Sequence, residues 1–520
     1  MIIKLRKSNG TLSNVFRPAH PPLSPDYGGE DKGEGVYRDA NVCSIIYTKV
    51  NKSPTKAMSN TLKYFFEPRS VAIIGASKTP GKAGNEILKN IVANGFAGKV
   101  FPINPSEEDI MGFRTFRSVK DIPEPVDLAV FIVPAEKTLE PLQECAEKKV
   151  PAVVIASGGY AEVGHQGARL QEEILAVAKA AGMRIIGPNT SGLTSTPASL
   201  TTTFFPLGKI RRGPISYIAQ TGNFATHTMK WILTGENFGV ARVAGLGNKI
   251  DVEDAEVLEY LGQDPETKAV LMYVEGFRKA RRFFEVAREV TRKKPVVILK
   301  GGRTKAGAER AFSHTASLAG DDALWDAAFR QAGIARVRRY FDLINVAKGI
   351  AFQPLPPGRR ISSLAPSGAL GVVVADACES VRLKMACHSE KTLKKLREIS
   401  ASWVTISNPV DMSAITPIAG RVEGYRAVVE TLLQDEGVDA VVPILLASPD
   451  VPAEKYNFLP ELSSRYPDKP IYVSFTGDKQ RYEQAKAFLE QRSIPVFVPL
   501  EDVFETLEVL CRCREALNRR

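Results

Sequence analysis

From residue 70 onward, short apolar runs rich in β-branched residues alternate with stretches whose apolar residues recur every three or four positions. Residues 70–75 (SVAIIG) are such a run, closing on glycine, as expected of a strand buried on both faces of a parallel sheet. Asn85, Ile87, Leu88 and Ile91 follow at helical spacing. The alternation returns at residues 98–105, 127–135, 151–156 and 184–189, which predicts one doubly wound α/β sheet. A second set contains residues 214–219, 269–274 and 295–300; a third contains residues 360–364, 440–446, 471–475 and 495–498. Between the second and third sets, QPLPPG at 353–358 reads as a linker. The expected organisation is three α/β domains at 58–195, 196–352 and 359–520. Residues 1–57 have no such pattern: Pro18, Pro21, Pro22, Pro25, Gly28, Gly29, Gly33 and Gly35 interrupt any period. They are expected to form a disordered extension, or to reflect a start assigned upstream of Met58.

Composition narrows the classes. A chain of 520 residues holds about three domains of ordinary size, and 44% hydrophobic with 24% charged residues is usual for a globular protein. No run of eighteen apolar residues is present, so no membrane-spanning helix is expected. The opening MIIKLRK lacks the apolar core of a signal peptide, and the expected location is cytoplasmic. The net charge of +11 does not form a basic stripe interleaved with aromatic residues, so no nucleic-acid partner is expected. Its clusters at 278–282 and 336–339 read as surfaces of helices and loops, and anionic small molecules explain the excess equally well. The six cysteines form no CxxC pair and have no histidine at ligand spacing, so they read as reduced thiols and no metal site is expected.

Four stretches could carry chemistry. The loop at 75–84 (GASKTPGKAG) joins a strand to a helix, where glycine lets backbone approach a phosphate and the helix N-terminus supplies donors; glycine there also serves plain packing. The spacing is not GxGxxG, so a dinucleotide is not indicated. Gln220, Thr221, Gly222 and Asn223 make a second strand-to-helix turn, suited to a phosphoryl group or to ordinary helix capping. Glu275 follows a buried strand, where a carboxylate can orient a histidine or simply face water. His314 lies in SHTASLAG (313–320), read as a loop before the helix opened by Asp321 and Asp322; alone it would pass for a surface histidine.

Together these motifs resemble those of the NDP-forming acyl-CoA synthetases, the family of the ADP-forming acetate–CoA ligases and of succinyl-CoA ligase α chains. Residues 313–320 resemble its SHTGSLAG, with Ala316 in place of glycine. The resemblance runs from about residue 62 to the C-terminus. Residues 75–84 resemble the GASxxPGKxG loop, and INP at 103–105, VPA at 133–135 and SGGYAE at 157–162 resemble further signatures. Thr190 and Ser191 depart from the usual GPNCLG, and Ala219 and Thr221 from the usual SQSG. SGALG at 367–371 and NPVD at 408–411 resemble stretches of the third domain, for which a structural and subunit-contact role is expected.

The resemblance implies a CoA-binding Rossmann-like domain followed by two flavodoxin-like, succinyl-CoA ligase-like domains. It implies coenzyme A at Gly75, Ala76, Ser77, Lys78, Pro80, Gly81, Lys82, Gly84, Asn104, Pro105, Val133 and Pro134. It implies phosphate at Gln220, Thr221, Gly222 and Asn223, phosphorylation of His314 during turnover, and contact of Glu275 with that histidine. Neither an ATP-grasp domain nor a GxxxxGK[ST] loop is visible. The implied protein is therefore an α subunit that interconverts acyl-CoA, ADP and phosphate with acid, CoA and ATP. The small carboxylic acid is unspecified, and ATP/ADP and Mg are expected on a separate ATP-grasp β subunit. A non-catalytic CoA- or acyl-CoA-binding regulator and a nucleotide-independent acyl transferase are the alternatives.

Overall fold

A computed structural model describes residues 55–315 and 321–519. The expected extension lies outside the described residues up to 54, whereas residues 55–57 belong to a helix, Thr55–Phe66. Its Leu62, Phe65 and Phe66 are fully buried, which ties the helix to the body.

The first sheet is built from β1 (Ser70–Ile74), β2 (Lys99–Ile103), β3 (Leu128–Phe131), β4 (Ala152–Ile155) and β5 (Arg184–Ile186). All five are parallel, in the order β2-β1-β3-β4-β5. The chain reverses direction across the sheet between β1 and β3, so ligand-binding loops are favoured at their carboxyl ends.

A hairpin of β6 (Leu193–Ser195) and β7 (Leu200–Thr201) follows, then β8 (Arg212–Ala219), β9 (Val240–Gly245), β10 (Ala269–Val274), β11 (Val296–Lys300) and β12 (Ala335–Val337). They form one sheet in the order β12-β11-β10-β8-β9-β6-β7. Strands β8 to β12 are parallel, and β6 runs antiparallel to β9. The reversal here lies between β8 and β10.

The third sheet repeats the plan with β13 (Arg360–Ala365), β14 (Lys384–Met385), β15 (Val410–Asp411), β16 (Ala440–Ala447), β17 (Val473–Gly477) and β18 (Val496–Phe497). Its order is β14-β13-β16-β17-β18, with β15 also paired to β13.

Helices cover the sheets, and the cores merge across them. One apolar cluster joins Val71 and Val130 of the first sheet to Ile218, Val270 and Ile298 of the second. Another joins Ile215 and Leu271 to Ile361 and Val442 of the third, and to Phe504 of the helix Glu501–Leu517. Lys348, buried between the second and third sheets, meets Glu236 at 3.2 Å and Glu490 at 3.1 Å. One surface expectation changes. Arg336 is 5% exposed in edge strand β12, held by Asp322 and Asp326 of the helix Asp322–Gln331, rather than on a helix or loop surface. His165 opens the helix Gly164 precedes, His165–Ala181, because Leu170, Ile174 and Ala178 repeat every four residues and pack it down. Among the described residues no helix is long and apolar enough to cross a membrane.

Candidate active site

The loop at 75–84 leaves β1 at the reversal of the first sheet. Gly75 has φ +94°, and a Cβ there would meet Ile132 O and Val133 Cγ1, both at 2.9 Å. Gly84 is tighter, since a Cβ would sit 2.1 Å from Gly75 O. The loop can therefore fold back on its own helix, Ala83–Asn94, only with glycine at both ends. Asn104 fixes it from β2 by donating to Ala76 O at 2.8 Å, and Asn85 donates to Ser77 O at 2.9 Å. Lys78 pairs with Glu107 at 2.7 Å. Gly81 is different: φ is +82° and no atom lies within 4 Å of its would-be Cβ. Lys78, Pro80, Gly81, Lys82, Pro105 and Pro134 are exposed. A rigid base thus carries an open rim with cations, ahead of a helix N-terminus. Asn85 Oδ1, behind that rim, is buried without a hydrogen-bond partner among the described residues. These features fit the phosphates of a bound coenzyme.

The second group assembles at the reversal of the second sheet. Gln220 leaves β8 and Glu275 leaves β10. Gln220 Oε1 accepts from Glu275 N at 2.8 Å and from Gly276 N at 3.1 Å, which clamps the two strand ends together. Lys249 holds Gly276 from the other side, donating to its carbonyl at 2.8 Å while pairing with Asp254 at 2.8 Å. Tyr273 donates to Glu275 Oε1 at 3.2 Å. Burial, then the charge of Glu275, pushes the Tyr273 phenol well above its ordinary range, so it stays a donor. Thr221 occupies the cap position of the helix Gly222–Gly235, yet its side chain makes no capping bond. Ordinary capping therefore does not account for that hydroxyl.

Gln220, Thr221, Gly222 and Glu275 line one cavity of about 260 Å³ with Ala156, Asn189, Thr190, Ser191, Phe204, Phe205, Gly247 and Asn248. Ala156 follows β4 and Asn189 follows β5, so the carboxyl edges of the first two sheets meet here. Backbone bonds close the seam: Asn248 N to Pro188 O at 2.9 Å, Ile250 N to Gly187 O at 3.2 Å, and Gly245 N to Gly192 O at 3.0 Å. Thr190 Oγ1 donates to Gly245 O at 2.6 Å. Asn90, buried on the helix behind the first loop, donates to Thr203 O at 2.9 Å and Phe205 O at 2.6 Å. One helix thereby supports both groups, its N-terminus under the first loop and its middle behind the phenylalanines of the cavity.

His314 is not on a loop as far as its backbone shows. It falls in the last turn of the helix Lys305–Thr315, because KAGAERAF contains mostly good helix formers and carries the helix onward. Residues 316–320 of the motif lie outside the described residues. Several cavity residues escaped sequence reasoning. Phe204, Phe205 and Asn248 had no visible signal, whereas Asn90, behind the cavity, had one: a polar residue among Ile87, Leu88 and Ile91 on a buried face.

Comparison with known proteins agrees with this geometry. Residues 69–196 match the CoA binding domain family model, and residues 212–350 match the succinyl-CoA ligase like flavodoxin domain. The chain is 38% identical over 462 residues to acetate–CoA ligase [ADP-forming] II of Archaeoglobus fulgidus, covering 88% of this chain and 67% of that protein. It is 37% identical to the acetate–CoA ligase [ADP-forming] II subunit alpha of Pyrococcus furiosus, covering 85% of this chain and 95% of the subunit. A solved structure of the dinucleotide forming acetyl-coenzyme A synthetase 1 of Ca. Korarchaeum cryptofilum, in complex with phosphate and ADP, superposes with a TM-score of 0.82 at 30% identity. That match covers 88% of this chain and 98% of the solved chain.

Proposed function

The chain belongs to the family of ADP-forming acid–CoA ligase α subunits, and from that premise we propose that it couples acyl-CoA cleavage to phosphorylation of His314. The observation that carries this reading is the single cavity shared by the carboxyl edges of two sheets. It sets a CoA-binding module against a phosphoryl-handling one.

Coenzyme A lies on the 75–84 loop, its phosphates met by backbone amides, the helix N-terminus, Lys78 and Lys82. Its thioester reaches the cavity. A phosphate oxygen attacks the thioester carbonyl; the C–S bond breaks and CoA leaves with a proton. The acyl phosphate so formed is then attacked at phosphorus by an imidazole nitrogen of His314. The P–O bond to the acyl group breaks, and the acid departs as carboxylate. Glu275 accepts a hydrogen bond from the other ring nitrogen and so fixes the tautomer that attacks. Gln220 holds Glu275 in place. The Thr221 hydroxyl and the amides of Gly222 and Asn223 meet the phosphoryl oxygens at a helix N-terminus, where preorganised donors lower the cost of developing charge. A separate ATP-grasp β subunit, carrying ADP and Mg, takes the phosphoryl group and makes ATP.

The test is direct. The purified chain should bind CoA yet make no ATP from acyl-CoA, ADP and phosphate. Adding a matching ATP-grasp subunit should restore synthesis and co-elute with the chain. His314→Ala should abolish synthesis while keeping the thermal midpoint. ATP formation by the lone chain, or an active alanine variant, would refute the scheme.

A further inference from the structure

Among the described residues three lysines are buried: Lys249, Lys300 and Lys348. Lys249 has a carboxylate at 2.8 Å, and Lys348 has two at 3.1 and 3.2 Å. Lys300, 3% exposed, has no carboxylate within ion-pair distance among the described residues. Among the described residues its ammonium donates to the adjacent carbonyl, Gly301 O, at 2.5 Å, and stands 5.6 Å from the centre of the Trp325 ring. An ammonium taken from water without a close counter-ion is unfavourable, and buried charges are ordinarily paired.

Its position names the anion. Lys300 ends β11 in register with Val274, the residue before Glu275. The next residue, Gly301, abuts the same group: a Cβ there would lie 3.0 Å from the Tyr273 hydroxyl and 3.4 Å from Glu275 Cγ. The charges facing Lys300 are Arg336 of β12, Asp322 of the helix beyond it, and Glu275 just after β10. Asp322 is already engaged by Arg336.

We infer that Lys300 supplies the positive charge that stabilises the phosphoryl group during its transfer at the carboxyl edge of the second sheet. This rests on the phosphoryl-transfer reading given above. A second consequence concerns pH. Burial, and then Arg336, lower the Lys300 pKa, against weaker opposition from Asp322 and Glu275. The charge is therefore lost at lower pH than for an ordinary lysine, giving the transfer rate an alkaline limb.

The experiment follows incorporation of labelled inorganic phosphate into the full chain from acetyl-CoA and [³²P]phosphate. Lys300→Met should slow labelling at least about 100-fold, the scale of losing one preorganised charge-stabilising group. CoA affinity should be unchanged, and the thermal midpoint should be no lower than for the parent. Lys300→Arg should restore much of the rate and displace the alkaline limb upward. Labelling of Lys300→Met within about threefold of the parent, or a loss of rate matched by lost CoA affinity, would overturn the assignment. Should Lys300→Met fail to fold, an unmoved alkaline limb in Lys300→Arg overturns it and a displaced one upholds it. A parent chain that takes no label refutes the functional reading itself, and this inference with it.

Discussion

Gly81→Val separates the coenzyme binding proposed for the 75–84 loop from the loop's folding. At Gly81 the backbone has φ +82°, and nothing lies within 4 Å of the position a Cβ would occupy. Valine therefore meets no protein atom, and its intrinsic cost is backbone strain alone, about 1–3 kcal/mol for a side chain in that region. A bound phosphate approaching the rim would meet the new side chain. Excluding it should weaken CoA binding at least about 100-fold, or about 2.8 kcal/mol at 1.4 kcal/mol per decade. Gly84→Ala is the contrasting control. Its Cβ would sit 2.1 Å from Gly75 O, so the loop must shift against its own helix and stability and CoA affinity should fall together. Calorimetric titration with CoA, beside thermal melts, reads both quantities. A Gly81→Val chain that melts a few degrees lower yet binds CoA within about threefold of the parent would refute the placement of the coenzyme on this rim.

Three further outcomes are expected. A chain starting at Met58 keeps the buried Leu62, Phe65 and Phe66, so its melting midpoint should lie within about 1 °C of the full chain, roughly the shift that 1 kcal/mol causes in a chain of this length; a larger fall means that the missing residues pack on the body. Lys348→Met leaves Glu236 and Glu490 with Lys486 alone, at 3.5 and 3.0 Å, and should lower stability by about 1–3 kcal/mol in urea titration, whereas an unchanged midpoint would show Lys486 to suffice for both carboxylates. Asp435 is pushed up by burial but held at about 2 by the Thr392 hydroxyl and by amides of Ser389 and Gly437, so its contribution is present above about pH 4 and is lost as pH falls towards 2; Asp435→Asn should flatten that acid limb in urea midpoints measured across pH.

The βα units and the candidate groups at strand ends could be read from the chain because their signals are local. Gln220 and Glu275 each follow a largely apolar strand, and period alone places them at a carboxyl edge. What could not be read was their meeting with Asn189, Thr190 and Ser191. That depends on strand order and on two sheets docking edge to edge, which no window of sequence reports. Arg336 shows a subtler failure. Its basic neighbours suggested surface, yet Arg336, Val337 and Arg338 alternate as a strand does, and Asp322 and Asp326, one helical turn apart, were available to hold a buried guanidinium. Charge counts along the chain obscure a residue whose partners lie ten to fourteen positions away. The loop expected at His314 is helix for another reason: helix-forming residues before it outweigh the polar character of its own motif.

The seam between the first two sheets bears on how such a protein could be taken apart or recombined. The hairpin β6–β7 is contiguous in sequence with the first sheet but completes the edge of the second. The crossover bonds at Gly187, Pro188 and Gly192 lie between them. A module exchanged by cutting at residue 195 would carry β6 away and leave β7 behind, exposing the edge of β9. The natural unit of exchange is therefore the first two sheets with their seam intact. A coenzyme module grafted from a relative should work only when the receiving second sheet comes with it.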